Sequence, residues 1–144
     1  MRKRFVVHEH HATQLHFDLR LEIAGVLKSW AVPKGVSMNP ADRRLAVAVP
    51  DHSLSYGDFE GTIAEGNYGA GEVRIWDKGY FEADDAEEQL KAGKIVLTFY
   101  GRHLQGEFTL VKWTNHQKNW LIIKSKDAYA DPDWELETVL KRRR

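Results

Sequence analysis

The 144-residue chain contains no cysteine, and its positive and negative side chains are equal in number. The absence of thiols excludes disulfide scaffolds, thiol nucleophiles and iron–sulfur clusters, and it disfavours a structural zinc knot, since such closed sites are usually rich in cysteine. The 21 basic and 21 acidic residues give a formal net charge of zero. The chain therefore lacks the overall basic excess of a nonspecific nucleic-acid binder.

Long apolar runs are also missing from the sequence. No stretch approaches the roughly 18 apolar residues that a membrane-spanning helix needs. The basic start from Arg2 to Arg4 resembles the charged start of a signal peptide, but no apolar run follows, because residues 8–11 are histidines and a glutamate. We therefore expect a cytoplasmic protein. Its length fits one domain that buries about two thirds of its unfolded surface.

Short alternating or apolar runs, separated by Gly, Pro, Asn and Asp, dominate the sequence and predict β-strands. Eight such runs predict a mainly β fold, a single-domain closed or nearly closed β-barrel. Gly25 lies between the second and third runs, as a hairpin turn requires. One short helix is expected, beginning near Asp84 or Asp85 and ending at Gly93, which can adopt the left-handed conformation after a helix. The predicted strands are Phe5–Val7, Phe17–Ile23, Val26–Val32, Leu45–Val49, Gly71–Trp76, Lys94–Tyr100, Glu107–Trp113 and Trp120–Lys124.

Two further features are interpreted as architecture. Four tryptophans lie in alternating runs, where we expect them to fill the barrel interior rather than to form a stacking platform. Residues 61–71 are rich in glycine but do not form a Walker loop, because no Gly-Lys-Ser/Thr follows them. Tight turns before the next strand explain these glycines, and approach of their backbone amides to the substrate is the less favoured alternative. The tryptophans are Trp30, Trp76, Trp113 and Trp120.

Chemistry-bearing side chains concentrate between residues 10 and 20. From His16 onward polar and apolar residues alternate, so His16, Asp18 and Arg20 share one face of a predicted strand. His16 and Asp18 are about 6.5 to 7 Å apart along such a strand, and both can bind one ion through bonds of about 2 Å. His10 completes a candidate metal site from the preceding turn or strand.

Two imidazoles and one carboxylate leave coordination positions for water or substrate, as a catalytic ion requires. This donor set is compatible with manganese, iron or zinc, and ligand softness does not choose among them. Arg20 favours a phosphate substrate, because its planar guanidinium group pairs with two phosphate oxygens at once. The alternative interpretation is that these side chains are ordinary solvated residues on the exposed face of a strand.

Four residues further along the chain are additional candidates. Lys34 projects from a Pro-Lys-Gly turn at the end of a predicted strand, where its ammonium group can meet a phosphate. Arg44 opens the next strand. His52 and Tyr56 follow that strand, and an imidazole and a phenol can hydrogen-bond a bound phosphate or transfer protons.

These residues belong to a longer series of motifs that resembles the 3′-phosphoesterase domain of bacterial DNA ligase D, a domain that also occurs as small free-standing proteins in bacteria and archaea. The matching segments run in order through the first half of the chain, and weaker matches such as Asn119–Lys124 extend nearly to its end. The segments are Phe5–Val7, His10–Glu22, Leu27–Gly35, Arg44–Val47, Asp51 with His52, Tyr56, Asp58–Ile63, Glu65 with Gly66, Tyr68–Gly71 and Trp76–Gly79.

The resemblance implies that residues 1–144 form a single 3′-phosphoesterase domain, a β-barrel nuclease that uses manganese in DNA repair by non-homologous end joining. It would remove a 3′-terminal ribonucleoside by phosphodiester cleavage and then release the remaining 3′-phosphate, leaving a 3′-hydroxyl. The implied substrates are 3′ ends of DNA or of RNA-tipped DNA. A separate ATP-dependent DNA ligase and a polymerase/primase are the implied partners, and no membrane is involved.

Carried over position by position, the resemblance implies His10, His16 and Asp18 as ligands of manganese or of another divalent transition metal. Arg20 and His52 match residues that engage the scissile phosphate. His52 would then protonate the leaving oxygen or stabilise the transition state.

Lys34, Arg44 and Tyr56 match further members of the active site in the resembling domains. His8 stands where relatives often carry glutamine, so an additional imidazole is expected to join the surroundings of the metal or to alter proton transfer. The ligase-linked relatives also have a longer segment before the position of Phe5. From this difference we expect the monoesterase step to be better retained than the diesterase step.

Two other functional classes are compatible with the same residues. Two histidines and a carboxylate on a barrel also describe iron-dependent oxygenases, in which Arg20, Lys34 and Arg44 would bind an organic acid. A noncatalytic nucleic-acid-binding barrel with surface histidines is the second alternative. Neither class explains the full series of matching segments, so a 3′-phosphoesterase is the predicted function.

Overall fold

The structure is a computed structural model that describes residues 2–67 and 69–140. Tyr68, which belongs to one of the matching segments, lies outside the described residues. The described chain forms nine β-strands, one 3-10 helix and one α-helix. The strands are β1 (Arg2–His11), β2 (Leu15–Ile23), β3 (Val26–Val32), β4 (Arg44–His52), β5 (Gly61–Ile63), β6 (Gly71–Glu82), β7 (Lys94–Gly101), β8 (Gln105–Lys112) and β9 (Asn119–Lys124), and the helices are the 3-10 helix Leu54–Asp58 and α1 (Ala86–Lys91).

Eight of the strands close a barrel. They follow the order β1–β2–β3–β4–β9–β8–β7–β6, and β6 pairs back with β1. All neighbouring pairs are antiparallel. The short strand β5 adds to β6 outside this ring. The predicted closed β-barrel of about eight strands with one short helix is therefore confirmed, and β5 is the additional strand.

Alternation along the strands separates a packed interior from a polar exterior. On β2, Phe17, Leu19 and Leu21 belong to the buried apolar core, whereas Asp18 and Arg20 lie on the opposite side of the strand and face a surface cavity. The core side chains come from all eight barrel strands and from the segment after β3. The barrel is therefore filled, and its interior does not hold the polar residues of β2.

Three of the four tryptophans belong to this core, as predicted: Trp30, Trp76 and Trp120. The prediction for Trp113 is wrong, because its side chain is 38% exposed. β8 ends at Lys112, so Trp113 is the first residue of the connection to β9 and lies beyond the end of the packed strand.

Helix α1 begins after Asp85, and Gly93 follows it with a φ of 86°, so the predicted helix is confirmed within two residues at each end. The left-handed backbone of Gly93 reverses the chain into β7. Among the described residues, no helix is long and apolar enough to cross a membrane.

A tight hairpin determines which side chains of β2 and β3 lie side by side. Ala24 and Gly25 have φ angles of 56° and 79°, as the two central residues of a type I′ turn require. This two-residue turn places Arg20 opposite Ser29. The β1–β2 hairpin likewise places His10 opposite His16.

The outer face of β1 and β2 is covered by the chain between β4 and β6. His8 donates a hydrogen bond from Nε2 to the carbonyl oxygen of Phe59 (3.0 Å), and His10 donates from Nε2 to the carbonyl oxygen of Gly69 (2.8 Å). As a result only 6% of Asp18 and 3% of Arg20 are exposed. The alternative of a solvated strand face is therefore wrong for these two residues.

A second contact to β1 is made by Glu9, which lies between His8 and His10 in the sequence and faces the inside of the barrel. The buried carboxylate of Glu9 accepts hydrogen bonds from the backbone N–H groups of Val139 (2.6 Å) and Leu140 (2.8 Å). The chain after β9 thus packs back against the strand that carries two of the site histidines.

Candidate active site

His10, His16 and Asp18 meet on the outer face of β1 and β2, where one possible ligand atom from each lies within 4.8 Å of the others. Nε2 of His16 is 3.1 Å from Nδ1 of His10 and 3.2 Å from Oδ1 of Asp18. Nδ1 of His10 is 3.6 Å from Oδ2 of Asp18. Ligand atoms on one ion with bonds of about 2.1 Å are about 3.0 to 3.4 Å apart, so this spacing suits a shared cation.

Backbone carbonyl groups hold the far side of both imidazoles. His10 donates from Nε2 to Gly69, and His16 donates from Nδ1 to the carbonyl oxygen of Gln14 (3.3 Å). A neutral imidazole carries one N–H group, so these bonds leave a lone pair on Nδ1 of His10 and on Nε2 of His16. Two lone pairs and a carboxylate at this separation repel one another unless a proton or a cation lies among them. The donor set therefore fits a divalent metal ion.

The electrostatics of the cluster keep Asp18 ionised. Burial raises the pKa of Asp18, but its contacts with the His10 and His16 rings and the charge of Arg20 lower it more, so the pKa lies well below its usual value. Burial lowers the pKa of His16, but the hydrogen bond to Asp18 and the charge of that carboxylate raise it more. His16 consequently binds a proton more readily than an ordinary histidine when no metal ion competes with it.

Arg20 is held beside this cluster by three groups. Its Nε donates to Nδ1 of His8 (2.9 Å), its Nη1 to Oγ of Ser29 (2.9 Å), and its Nη2 to Oδ2 of Asp18 (3.2 Å). Ser29 in turn donates to the carbonyl oxygen of Leu27 (3.0 Å). The guanidinium plane therefore has one defined orientation next to the candidate metal ligand.

His8 lies behind Arg20 and is not a member of the metal cluster. Its ring is fully buried, accepts from Arg20 on Nδ1 and donates to Phe59 on Nε2. Burial and the charge of Arg20 lower the pKa of His8 to about 4. The ring is therefore neutral at physiological pH, and it orients Arg20 as a hydrogen-bond acceptor.

His52 and Tyr56 approach Arg20 from the covering segment. The Tyr56 ring stacks on His52 with 4.3 Å between the ring centroids, and Cζ of Arg20 is 5.0 Å from the Tyr56 centroid. Burial, followed by the charge of Arg20, lowers the pKa of His52, whereas burial raises the pKa of Tyr56. Both side chains are thus favoured in their neutral forms beside a fixed cation.

A cavity of about 660 Å³ opens over these groups. The three candidate ligands line it together with Arg20, His52 and Tyr56. Ala31 and Val49 contribute an apolar wall from the neighbouring strands, while Asn67 and Gly69 contribute the wall from the loop before β6. Six residues that the sequence suggested for the site therefore surround one cavity, and His8 supports it from behind.

Lys34 and Arg44 do not line this cavity. Lys34 is exposed in the turn after β3, and Arg44 pairs with Asp42 at 3.4 Å. Arg44 begins β4 and His52 ends it, so the two lie about 26 Å apart along the strand at about 3.3 Å per residue. The roles that the resemblance implies for Lys34 and Arg44 stay predictions.

Sequence reasoning did not single out two groups that hold the site together. Ser29 contacts Arg20, and the register of the Gly25 hairpin, which pairs positions 20 and 29, contained the signal to find it. The carbonyl group of Gly69 orients His10, whereas the sequence predicted a mainly architectural role for the glycine-rich loop, with approach of its backbone amides to the substrate as the alternative. A backbone carbonyl carries no residue-type signal, so this contact could not be read from the sequence.

Comparison with known proteins shows the family of the chain. Residues 8–112 match the family model described as the DNA ligase D 3′-phosphoesterase domain. The multifunctional non-homologous end joining protein LigD of Pseudomonas aeruginosa is 47% identical over 131 residues, which cover 88% of this chain and 16% of that protein.

Two further relatives show a similar degree of identity. LigD of Mycolicibacterium smegmatis is 43% identical over 131 residues, covering 86% of this chain and 17% of that protein. The multifunctional non-homologous end joining DNA repair protein LigD of Mycobacterium tuberculosis is 41% identical over 135 residues, covering 94% of this chain and 18% of that protein. The chain thus spans less than a fifth of the length of these relatives, and it belongs to the DNA ligase D 3′-phosphoesterase domain family.

Proposed function

We propose that this chain is a metal-dependent phosphoesterase that heals 3′ ends of DNA or of RNA-tipped DNA, as a single domain. It removes a 3′-terminal ribonucleoside as a phosphodiesterase and a 3′-phosphate as a phosphomonoesterase, leaving a 3′-hydroxyl. The observation that carries the proposal is the convergence of His10, His16 and Asp18 at 3.1–3.6 Å beside the oriented guanidinium group of Arg20. Membership of the 3′-phosphoesterase domain family supports it.

The proposed ion is manganese, held by His10, His16 and Asp18. A mixed nitrogen and oxygen donor set suits manganese, and the family resemblance favours it over iron or zinc. When bound, a divalent ion would polarise a phosphoryl oxygen and stabilise the negative charge that develops during the reaction.

The remaining residues have roles that follow from their contacts. Arg20 would neutralise charge on the phosphoryl oxygens, and its bonds to three protein groups mean that little reorganisation is needed as that charge develops. His52 is neutral before substrate binds, and the negative charge of a bound phosphate would raise its pKa. His52 could then donate a proton to the leaving oxygen, while Tyr56 keeps its ring in place by stacking.

The names of the relatives describe multifunctional proteins of non-homologous end joining, and we propose the same process for this chain. In that process an ATP-dependent ligase needs a 3′-hydroxyl, and a 3′-phosphate blocks it. An ATP-dependent DNA ligase and a polymerase/primase acting on the same ends are accordingly the proposed partners.

The test uses the purified chain and its His10→Ala variant on two substrates, a primer–template ending in one ribonucleotide and one ending in a 3′-phosphate. We expect shortening of the first and dephosphorylation of the second with manganese, no reaction with a chelator, and none in the variant. Absence of product from both substrates would overturn the proposal. A requirement for iron, oxygen and a keto acid would favour an oxygenase, and tight end binding without turnover or chelator sensitivity would favour a binding module.

His8 offers a test of how Arg20 is oriented. In His8→Gln the amide oxygen can accept from Nε of Arg20 and the amide nitrogen can donate to Phe59, so we expect the rate of 3′-phosphate release to stay within about threefold of wild type. In His8→Leu both partners lose their bond, and unpaired buried groups cost about 1–3 kcal/mol, so kcat should fall about tenfold or more. Manganese affinity, measured by calorimetry, should change little in both variants. Full activity of the leucine variant would contradict the orienting role.

A further inference from the structure

The connection between β8 and β9, residues 113–118, differs from the rest of the chain in charge. From Phe108 to Lys126 the sequence contains four lysines and no aspartate or glutamate, although the whole chain is balanced in charge. Residues 112–118 are all exposed, including Lys112, Lys118 and the Trp113 side chain. In the sequence, the exposed Trp113 directly follows one exposed lysine, and a second exposed lysine comes five residues after it.

A depression of about 460 Å³ lies at this connection, and its walls include Lys112, Trp113 and His116. The His116 ring meets the Trp113 ring at 78°, with 5.2 Å between the centroids, so the indole is supported from one direction. Aromatic side chains beside a cationic track are the combination by which proteins bind unpaired nucleotides, since the bases stack and the phosphates meet the cations.

The connection is attached to the wall of the active-site cavity. The backbone N–H group of Ala48 donates to the carbonyl oxygen of Lys118 (2.7 Å), and the next residue, Val49, lines that cavity. The 113–118 connection is therefore bonded directly to β4, a strand that lines the active-site cavity.

Strand register gives the distance between Trp113 and the active-site cavity. Trp113 donates to Asn119 (2.9 Å), Asn119 pairs with Val47, and Val47 pairs with Ala31, which lines the cavity. Three strand spacings of about 4.8 Å make about 14 Å. Stacked nucleotides rise about 3.4 Å each along one strand, so this distance corresponds to about four nucleotides.

Two other surface depressions are less suited to a polyanion. One is lined by Glu82, Asp84 and Glu107, whose carboxylates repel phosphates. Another is lined by Tyr100 and Tyr129 and includes no lysine or arginine among its lining residues. Charge therefore favours the 113–118 connection as the binding surface for a polyanion. It also favours a nucleic acid as the ligand over a protein surface with few acidic residues.

We propose that the 113–118 connection is a second nucleic-acid contact, which binds the substrate strand about four nucleotides from the 3′ end. Trp113 stacks on an unpaired base, and Lys112 and Lys118 face phosphates on either side of it. This proposal rests on the proposed function of the cavity at Asp18 and adds to it a preference for substrate length and for an unpaired strand.

The test measures binding of labelled single strands of two to eight nucleotides, each ending in a 3′-phosphate, by fluorescence anisotropy with chelator present. For wild type we expect affinity to rise in a step near five nucleotides. Trp113→Ala should lack this step and bind the octamer about tenfold more weakly than wild type. Trp113→Phe should keep the step and most of the affinity for the octamer. The double variant Lys112→Gln/Lys118→Gln should lower the salt dependence, d log K/d log[salt], by about 1.4. Tyr129→Ala, an exposed aromatic at another depression, is the matched control and should bind like wild type.

Turnover separates this proposal from the proposed function. Trp113→Ala should process a dinucleotide like wild type and lose efficiency, as a higher KM, only on the longer strands. If wild type turns over no substrate but shows the length step that Trp113→Ala lacks, the contact stands and the phosphoesterase proposal fails. If Trp113→Ala binds strands of every length like wild type, the proposed nucleic-acid contact is overturned, even if the connection binds a protein instead. The phosphoesterase proposal is unaffected by that result.

Discussion

Replacing Asp18 with asparagine is expected to abolish manganese-dependent release of 3′-phosphate, with kcat lowered at least about a thousandfold. Asp18 supplies the negative charge of a cluster whose other two members bind a metal ion as neutral imidazoles, and metal stabilisation of the transition state amounts to several kcal/mol. Manganese affinity, measured by isothermal titration calorimetry, should fall about a hundredfold or more. Asparagine keeps the shape of the side chain and one oxygen that can accept from Arg20.

The matched control for this variant is Asp133→Asn, which removes an exposed carboxylate from the segment after β9 and should behave like wild type. Thermal unfolding of both variants shows whether the barrel stays folded. Asp18→Asn that binds manganese with unchanged affinity would contradict the assignment of Asp18 as a ligand.

The pH dependence of metal affinity has a defined sign. Because Asp18 raises the pKa of His16, a proton competes with the ion at His16 over a wider pH range than at an ordinary histidine. The ion binds only the deprotonated ring, so manganese affinity should fall about tenfold per pH unit once the pH is below that raised pKa, and should level off above it. Calorimetric titrations between pH 5 and about 8 measure this slope. An affinity that does not change with pH would contradict competition between a proton and the metal ion at His16.

Replacing Arg20 with lysine is expected to lower kcat about a hundredfold to a thousandfold while manganese affinity changes only a few-fold. Removing one preorganised group that stabilises developing charge typically has an effect of this size. A lysine ammonium group keeps the charge, but it lacks the planar fork that reaches His8, Ser29 and Asp18 at once. Single-turnover rates on a 3′-phosphate end, with saturating manganese, measure the effect.

Arg102→Lys is the control, because Arg102 is exposed in the turn between β7 and β8 and should tolerate lysine. Urea unfolding tests whether the buried position of Arg20 accepts lysine without loss of the fold. Unchanged kcat in a folded Arg20→Lys variant would refute the phosphate role, and loss of manganese binding together with activity would instead assign Arg20 to the support of the metal ligands.

Local pattern was sufficient to predict much of the site. The alternation after His16 placed three polar side chains on one face of β2, and this prediction needs only the geometry of an extended chain. Most strands followed from the same alternation, although β1 runs from Arg2 to His11 rather than from Phe5 to Val7. The histidines of β1 interrupt its apolar pattern. His10 lines the cavity, and His8 contacts Arg20 from behind.

Other positions depended on contacts that local pattern does not describe. Trp113 comes three residues after the buried Leu110, so the two-residue period of β8 already places its side chain on the outer face, and the strand ends at Lys112. His52 and Tyr56 were candidates by residue type alone. Their stacking beside Arg20 depends on the path of the 3-10 helix after β4, and Lys34 and Arg44, equally plausible by residue type, lie outside the cavity.

The sequence by itself determined the strand periodicity, the hairpin register that pairs positions 20 and 29, and the donor types of a metal site, because these follow from neighbouring residues and from side-chain chemistry. Only the tertiary structure decided that the chain between β4 and β6 covers the polar face of β2, that His8 orients Arg20, and that Gly69 orients His10. The contacts of His8 with Phe59 and of His10 with Gly69 join residues 51 and 59 positions apart in the chain, whereas His8 and Arg20 are 12 positions apart. The contacts of Phe59 and Gly69 form because the barrel closes by pairing β6 with β1, which brings the chain before β6 next to β1. No local property of the sequence encodes that approach.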